Sequence, residues 1–387
     1  MATRGKGPGG AGAGPDPLEF RGSREAPDEL QRIVERPPLI GDASEMPAEA
    51  RDAVTRRRIW LPGSARTRPK VSVERDDDGW EIAYDASEVH RVGRTAERIA
   101  PDEVLRGIDP RVGPQSHRPG WVTASYYPRP AIAADGPSVL RRFDGGATQP
   151  LWVFGPDDRA VYRDATWPWG LVGKVFNSDG KVGTGALIGD RLVATAGHMV
   201  PWGKKGWWMR FVPAYFDGSS LHGSGFESYV SDARGYDVHG DVTGYDWAVL
   251  RLYQPLGSWL GYFGYNGFSS SWQNQNRWTL LGYPGAVAGG QRPSRQFGSS
   301  VFDIDSDSHG GSELETRADM TPGNSGGPYF GWFDGDPRLV GVVSGQETEW
   351  APGPWPWEWG DMEKVNVVAG GSGFTGMMAW GRSNWPL

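Results

Sequence analysis

Short apolar runs separated by glycine-containing turns dominate the chain from residue 153 to its end. The runs are five to seven residues long, and turn dipeptides such as Asp179-Gly180 and Gly189-Asp190 divide them. Many short strands with regular turn signals are typical of an all-β sandwich or barrel. The clearest runs are 170–176, 182–188, 192–196, 246–252, 278–282, 299–304 and 339–344.

The first 152 residues have a weaker and more varied pattern. Residues 1–30 are rich in glycine, proline and charge, which predicts disorder. Residues 70–84 alternate apolar and polar side chains on both sides of an Asp-Asp-Asp-Gly turn, which predicts a β-hairpin. Residues 96–105 predict a short helix, and prolines and glycines recur every few residues over 110–149.

This change of pattern divides the chain at residue 152. We expect 1–152 to be a pro-segment or accessory region, partly disordered and largely irregular, and 153–387 to form the β domain. The first part contains no internal repeat and no chemical motif. A separate binding module is therefore the less favoured interpretation of 1–152.

Composition suits turn-rich β structure and excludes several kinds of site. The chain contains 58 glycines, 31 prolines and 20 tryptophans, as expected for tight turns around a large aromatic core. It contains no cysteine, which excludes disulfides, thiolate metal sites and a cysteine nucleophile. The first 152 residues carry 23 basic and 23 acidic residues, so the net charge of −7 lies in 153–387. We therefore expect no nucleic-acid partner, and no membrane span because no apolar run reaches ~18 residues.

A serine among glycines is the strongest chemical motif. Ser325 lies in Thr-Pro-Gly-Asn-Ser-Gly-Gly-Pro, with glycines two residues before it and two residues after it. A nucleophilic serine needs its Oγ clear of the backbone, and the N–H groups of Gly323 and Ser325 must converge on the oxyanion of an acyl-transfer intermediate. Taken alone, a glycine-rich turn with a serine is more often only a turn, so the motif needs a base and an acid beside it.

A candidate base and a candidate acid lie upstream. His198 ends the run Leu-Val-Ala-Thr-Ala-Gly-His, and Asp246 directly precedes the apolar run Trp-Ala-Val-Leu-Arg-Leu. Asp237 and Asp241 compete with Asp246, but neither of them opens a strand. The order His, Asp, Ser is that of chymotrypsin rather than of subtilisin or the α/β-hydrolases.

The three motifs together resemble the catalytic blocks of chymotrypsin-fold serine proteases, the trypsin-like peptidases. The blocks are TAGH ending at His198, YDWAVL around Asp246 and GNSGGP around Ser325. The local sequence is most similar to the bacterial and fungal glutamyl endopeptidase branch, in which VFGPDDR at 153–159 resembles the start of the mature chain. The resemblance covers residues 153–387.

This resemblance implies a double six-stranded antiparallel β-barrel, with His198 and Asp246 on the first barrel and Ser325 on the second. It implies a serine endopeptidase that hydrolyses peptide bonds through a His-Asp-Ser triad and an acyl-enzyme. The expected partner is a polypeptide substrate, with no cofactor and no metal. It also implies a zymogen that an activating protease cuts near Trp152-Val153. The family implies secretion, although the first 20 residues lack the apolar segment of a signal peptide, so a cytoplasmic location is the alternative.

The same resemblance assigns four residues to the substrate pocket: Asp319, Met320, Val343 and Ser344. Glutamyl endopeptidases bind a substrate carboxylate with a pocket histidine and with a Thr or Ser five residues before the nucleophile, and the matching positions here hold Val343 and Met320. Asp319 lies where trypsin has its pocket aspartate, and Ser344 matches a serine that often hydrogen-bonds the catalytic aspartate. We therefore expect that glutamate is not the favoured residue before the scissile bond, and that a neutral or basic residue is preferred.

Two further patterns and a second function have to be weighed against this interpretation. Asp303, Asp305 and Asp307 have the spacing of a calcium loop, but serine and leucine stand where glycine and glutamate are needed, so we expect an exposed strand face. We expect the tryptophan-rich segment 354–359 to pack over a barrel end rather than to bind a ligand. The alternative function is a non-catalytic binding protein with 1–152 as its recognition module; the intact set of three catalytic residue types argues for the enzyme.

Overall fold

The structure is a computed structural model, and the residues it describes are 16–19, 47–50, 72–76, 79–83, 92–100, 103, 105–129, 153–351 and 361–386. The N-terminal strands are β1 (Ser72–Asp76), β2 (Gly79–Ala83) and β3 (Thr95–Arg98). The next group of strands is β4 (Ala160–Val161), β5 (Val172–Asn177), β6 (Val182–Gly189), β7 (Leu192–Thr195), β8 (Met209–Pro213), β9 (Tyr215–Phe216), β10 (Ser219–Ser220), β11 (Ser228–Gly235) and β12 (Ala248–Leu252). The last group is β13 (Gly264–Tyr265), β14 (Trp278–Gly282), β15 (Ser294–Ser299), β16 (Val301–Ser306), β17 (Ser312–Thr316), β18 (Pro328–Phe333), β19 (Asp336–Ala351) and β20 (Asp361–Gly370). The helices of the described residues with defined bounds are α1 (Leu256–Leu260) and α2 (Gly371–Asn384), and residues 48–50 are also helical.

Six strands form a closed first barrel. Their order is β12-β7-β6-β5-β8-β11, all pairs are antiparallel, and β11 pairs back with β12. β-Branched and aromatic residues favour these strands, and Val175, Val193, Phe211 and Leu250 are fully buried in the main hydrophobic core. The apolar runs of the sequence therefore correspond to strands that share one interior.

The second barrel closes through the continuity of the chain. Its strands pair antiparallel in the order β16-β17-β20-β19-β18-β14-β15. The two ends of this path, β15 and β16, are separated only by Ser300. Residues 294–306 therefore form one bent strand, which together with β14, β17, β18, β19 and β20 makes a six-stranded barrel. Trp278, Tyr329 and Val368 belong to its separate hydrophobic core. The predicted double six-stranded antiparallel barrel is confirmed.

β3 adds a parallel strand to the outside of the first barrel. Only the first two residues of β11 pair with β8, which leaves residues 232–235 available to β3. Asp232 accepts a hydrogen bond from Thr95 Oγ1 at 2.7 Å and forms an ion pair with Arg94 at 2.8 Å. The helix predicted over 96–105 is therefore wrong, because this stretch begins as an extended strand whose backbone groups find a tertiary partner.

The described residues within 92–129 contact both barrels, through the pairing of β3 with β11 and through the N–H of Ser116, which donates to Asp336 Oδ1 of β19 at 2.9 Å. We call this segment the belt. His117 and Tyr262 exchange two backbone hydrogen bonds of 2.9 Å. Arg382 of α2 donates to four carbonyl oxygens, two of them in the belt and two outside it: those of Gly113, Gln115, Ile188 and Phe263. The described part of the N-terminal region is mostly irregular, as predicted, yet it is bonded to both barrels.

Several smaller expectations can be compared with the described residues. The hairpin predicted over 70–84 is present as β1 and β2. Asp303 and Asp305 lie exposed on β16, as expected. Asp307 departs from this expectation, because it lies after the end of β16, is half-buried and accepts from the N–H of Gly244 at 2.9 Å. The segment 354–359 lies outside the described residues. No described helix has the length and apolar character of a membrane span, and the described residues contain no group of three or more metal-binding side chains.

Candidate active site

The candidate base and acid come from neighbouring strands of the first barrel. β7 ends at Thr195 and leads into a single 3₁₀ turn that carries His198. Asp246 lies two residues before β12, and β12 pairs antiparallel with β7, with Ala248 opposite Thr195. Both side chains therefore leave the same end of the barrel.

Three donors hold the carboxylate of Asp246. Its Oδ2 is 2.7 Å from His198 Nδ1 and accepts from Ser344 Oγ at 2.7 Å, and its Oδ1 accepts from the backbone N–H of His198 at 2.9 Å. The residue is 0% exposed. Burial by itself raises the pKa of Asp246, but the attraction to His198 and the hydrogen bonds outweigh burial and leave the pKa below its ordinary value. An anionic Asp246 fixes Nδ1 of His198 as the protonated nitrogen, and Nε2 can then accept a proton.

A tight turn at residues 321–324 precedes the candidate nucleophile. The N–H of Asn324 donates to the carbonyl of Thr321 at 3.0 Å, with Pro322 and Gly323 between them. Gly323 has φ of 105°, and a positive φ at the third position with proline at the second is the signature of a type II turn. A side chain at Gly323 would also overlap the carbonyl oxygen of Tyr283. The sequence Thr-Pro-Gly-Asn thus encodes the turn that leads into Ser325.

Two backbone N–H groups beside the serine are available to a ligand. The N–H groups of Asn324, Gly326 and Gly327 each donate to a nearby carbonyl oxygen. Among the described residues, no acceptor is found for the N–H groups of Gly323 and Ser325. These are the two donors that an oxyanion site requires.

The serine turn packs against the segment that leads to His198. A side chain at Gly326 would overlap Thr195 Oγ1 and would lie 2.8 Å from the backbone nitrogen of Ala196. Glycine is therefore needed at position 326 for the serine turn to pack this close to residues 195–196, which lead to the candidate base. Among the described residues, no hydrogen bond is found between Ser325 Oγ and His198 Nε2. Hydrogen bonds between a nucleophile and its base are often long in a free enzyme.

Two residues outside the three catalytic blocks also contact the serine turn. Thr184 of β6 donates its N–H to the carbonyl of Ser325 at 2.8 Å and its hydroxyl to the carbonyl of Gly323 at 2.7 Å. Arg159 donates from Nη1 to Thr321 Oγ1 at 3.0 Å. Arg159 lies in the segment VFGPDDR that the resemblance singled out, but a motif does not say which distant residue its arginine touches.

The residues predicted to line the substrate pocket are all buried. Met320 and Val343 are fully buried in the core of the second barrel, and Ser344 is turned toward Asp246. Met320 and Val343 contribute their side chains to the core of the second barrel, and Ser344 forms the hydrogen bond to Asp246 that the resemblance led us to expect. Their place in the substrate pocket stays a prediction.

Asp319 is also committed to other parts of the chain. It is 1% exposed, and its carboxylate accepts from the backbone N–H groups of Phe154 at 2.7 Å and Asp158 at 3.2 Å. Burial is the largest influence on the pKa of Asp319 and raises it above its ordinary value. The carboxylate anchors the segment 154–158 and is not presented to a substrate as a free charge.

Comparisons with known proteins agree with the resemblance derived from the motifs. Residues 183–342 match the family described as Trypsin-like peptidase domain. The chain is 28% identical over 183 residues to Glutamyl endopeptidase of Bacillus licheniformis, which covers 46% of this chain and 54% of that protein. The chain thus spans about half the length of this curated relative.

Two solved structures are also similar. One is a Glu endopeptidase in complex with MPD, with a TM-score of 0.46 and 17% identity over 60% of this chain and 100% of that chain. The other is the protease Anisep from Arthrobacter nicotinovorans, with a TM-score of 0.39 and 20% identity over 55% of this chain and 94% of that chain. The family match and the curated relative support a chymotrypsin-fold serine protease, and the resemblance predicted from the motifs is confirmed.

Proposed function

We propose that this protein is a serine endopeptidase that cleaves polypeptides through an acyl-enzyme, with Ser325 as nucleophile, His198 as base and Asp246 as orienting acid. The observation that carries the proposal is the hydrogen-bonded chain from Ser344 through Asp246 to His198, next to a serine turn with two available N–H groups. The similarity to Glutamyl endopeptidase of Bacillus licheniformis supports an endopeptidase.

Each group has one task in the reaction. His198 Nε2 takes the proton of Ser325 Oγ as that oxygen attacks the substrate carbonyl, and His198 then gives the proton to the leaving amine. Asp246 stabilises the imidazolium that forms in between. The N–H groups of Gly323 and Ser325 bind the negative oxygen of the tetrahedral intermediate. Water then attacks the acyl-enzyme with His198 again as base.

A pre-steady-state burst tests this proposal. With an activated ester substrate we expect a burst of about one equivalent of leaving group per enzyme, because acylation precedes a slower deacylation. The Ser325→Ala variant is the control and should show no burst. If the correctly folded protein, already cut near Trp152-Val153, hydrolyses neither the ester nor casein, the proposal is contradicted and the non-catalytic alternative is favoured.

The specificity proposed with this function is against glutamate before the scissile bond. The two positions that would supply donors to a substrate carboxylate hold Met320 and Val343, both buried, and leaving a carboxylate without donors costs about 1–3 kcal/mol or more. Because the carboxylate of Asp319 is occupied by backbone N–H groups, we expect a neutral residue to be preferred over a basic one. Profiling of cleavage sites in a peptide library measures this preference, with Asp319→Asn as a control that should keep it. A dominant preference for glutamate would contradict the pocket argument and leave the triad untouched.

The proposal includes one activating cut near Trp152-Val153, after which the belt stays bound. Val153 is exposed, whereas the belt is held by many contacts, among them the indole N–H of Trp121 on the carbonyl of Trp259 at 2.8 Å. We expect the cut fragments to elute together in native size-exclusion chromatography and to separate in denaturant.

Mass spectrometry of the active species should find a chain that begins near Val153. An uncut chain with full activity would contradict the proposal that the cut activates the enzyme. Separation of the belt from the cut protein in native chromatography, without loss of stability, would contradict the proposal that the belt stays bound. Secretion stays a prediction.

A further inference from the structure

Arg159 is a buried cation that reaches the serine turn from the segment before β4. Its side chain is 1% exposed. Nε and Nη2 donate to the two carboxylate oxygens of Asp157 at 2.9 and 2.6 Å, and Nη1 donates to Thr321 Oγ1 at 3.0 Å. Nη1 also lies 3.5 Å from Asn324 Oδ1. One guanidinium thus contacts both the first and the last residue of the turn 321–324.

The ends of this turn determine where its central peptide points. The side-chain oxygen of Asn324 accepts from the N–H of Thr321 at 3.1 Å, which reinforces the backbone bond between the same two residues. Between them, the carbonyl of Pro322 accepts from the N–H of Gly285 at 2.7 Å. Type I and type II turns differ in the orientation of the central peptide, and here that peptide carries the N–H of Gly323. Holding the ends and this carbonyl therefore fixes one of the two oxyanion donors.

The charge of the guanidinium is balanced without an acid in the turn. Burial raises the pKa of Asp157, but the hydrogen bonds and the attraction to Arg159 outweigh burial and lower the pKa overall. Asn324 carries no charge, so the turn receives hydrogen bonds and no ion pair. A planar guanidinium with five fixed N–H donors can serve Asp157 and Thr321 together, which a lysine ammonium cannot do with the same geometry.

On the basis of the proposed function, we propose that Arg159 is a positioning residue that holds the oxyanion turn in its type II form. The cation that stabilises the turn is thus the buried guanidinium of Arg159 and not a new amino terminus. A free amino terminus at Val153 is not required to form the oxyanion site, and the cut near Trp152-Val153 acts by another route.

The test compares Arg159→Met and Arg159→Lys with the wild-type protein. Loss of the turn's support misaligns one oxyanion donor, so we expect Arg159→Met to lower kcat by about 10- to 100-fold with KM changed by less than about threefold. Inhibition by a peptide boronic acid, whose adduct is tetrahedral, should weaken by the same factor as kcat. Arg159→Lys should recover part of kcat because it keeps the charge but not the fork.

Two further variants separate positioning from general stability. Thr321→Val removes the acceptor and keeps the arginine, and in combination with Arg159→Met it should cost little more than the single change. Arg210→Met is the matched control, since Arg210 pairs with Glu227 at 3.2 Å on the first barrel, away from the turn. We expect Arg210→Met to leave kcat per active site unchanged, whatever it does to the melting temperature.

The outcomes distinguish this inference from the proposed function. A wild-type protein, cut near Trp152-Val153, that shows no burst and binds no boronate would contradict both the proposed function and this inference. An active wild type with equal kcat and equal boronate inhibition in Arg159→Met would overturn the inference alone. If Arg159→Met does not fold, Thr321→Val with unchanged kcat would overturn it instead. A cut enzyme that loses more than about tenfold in kcat when one residue is added before Val153 would overturn the independence from the amino terminus.

Discussion

Removal of the Ser325 hydroxyl is expected to lower kcat by about 10⁶-fold, and His198→Ala added to Ser325→Ala should cost little more. The reason is that the proposed mechanism makes the two residues one unit: without its base the hydroxyl is a weak nucleophile, and without the nucleophile the base has no proton to take. Steady-state hydrolysis of casein and of a peptide ester measures each variant.

A serine outside the site provides the control for this result. Ser258 of α1 hydrogen-bonds Asp190, which lies between β6 and β7, at 2.9 Å, and Ser258→Ala should keep nearly the full rate. Additive losses in the Ser325 and His198 double variant, or casein cleavage by Ser325→Ala near the wild-type rate, would show that these residues do not form a catalytic unit.

The Asp246→Asn variant is expected to lose about 10⁴-fold in kcat with little change in KM. An amide can donate to Nδ1 of His198, so the ring would carry its proton on Nε2 and could not act as base. Ser344→Ala removes one of the three donors to Asp246 and should cost much less, since two bonds from His198 remain. Equal losses in the two variants would contradict the orienting role of Asp246.

The lowered pKa of Asp246 also predicts a direction for stability. Because its pKa in the folded state lies below the ordinary value of 3.8, its ionised form contributes stability above that pH, and the contribution is lost as the pH falls through the folded value. In the Asp246→Asn variant, the free energy of unfolding should therefore fall less steeply as the pH is lowered than in the wild-type protein.

The sequence predicted those parts of the structure that local signals encode. Short apolar runs and glycine turns specify strands by themselves. The sequence Thr321-Pro322-Gly323-Asn324 favours the serine turn, because proline favours the second position of a type II turn and glycine the third. The sequence singled out His198 and Asp246 as candidates because each is next to one end of a strand in a distinctive motif, and the structure brings the two side chains within 2.7 Å of each other.

The parts that the sequence did not predict depend on contacts between distant segments. Residues 95–98 have no strong strand pattern, and they are extended because β11 offers a free edge and Asp232 binds Arg94 and Thr95. The pocket residues were assigned by position along the chain, but burial of Met320 and Asp319 depends on what the second barrel and the segment 154–158 place over them. Only the folded chain shows that Arg159 contacts the serine turn.

Labelling with a fluorophosphonate probe, followed by peptide mapping, is the most direct test of the central claim that Ser325 is a nucleophile activated by His198 and Asp246. The folded protein should carry one phosphonyl group, located on Ser325, and the His198→Ala variant should be labelled far more slowly. A folded protein, cut near Trp152-Val153, that takes up no label, or that carries the label on another serine, would contradict the account.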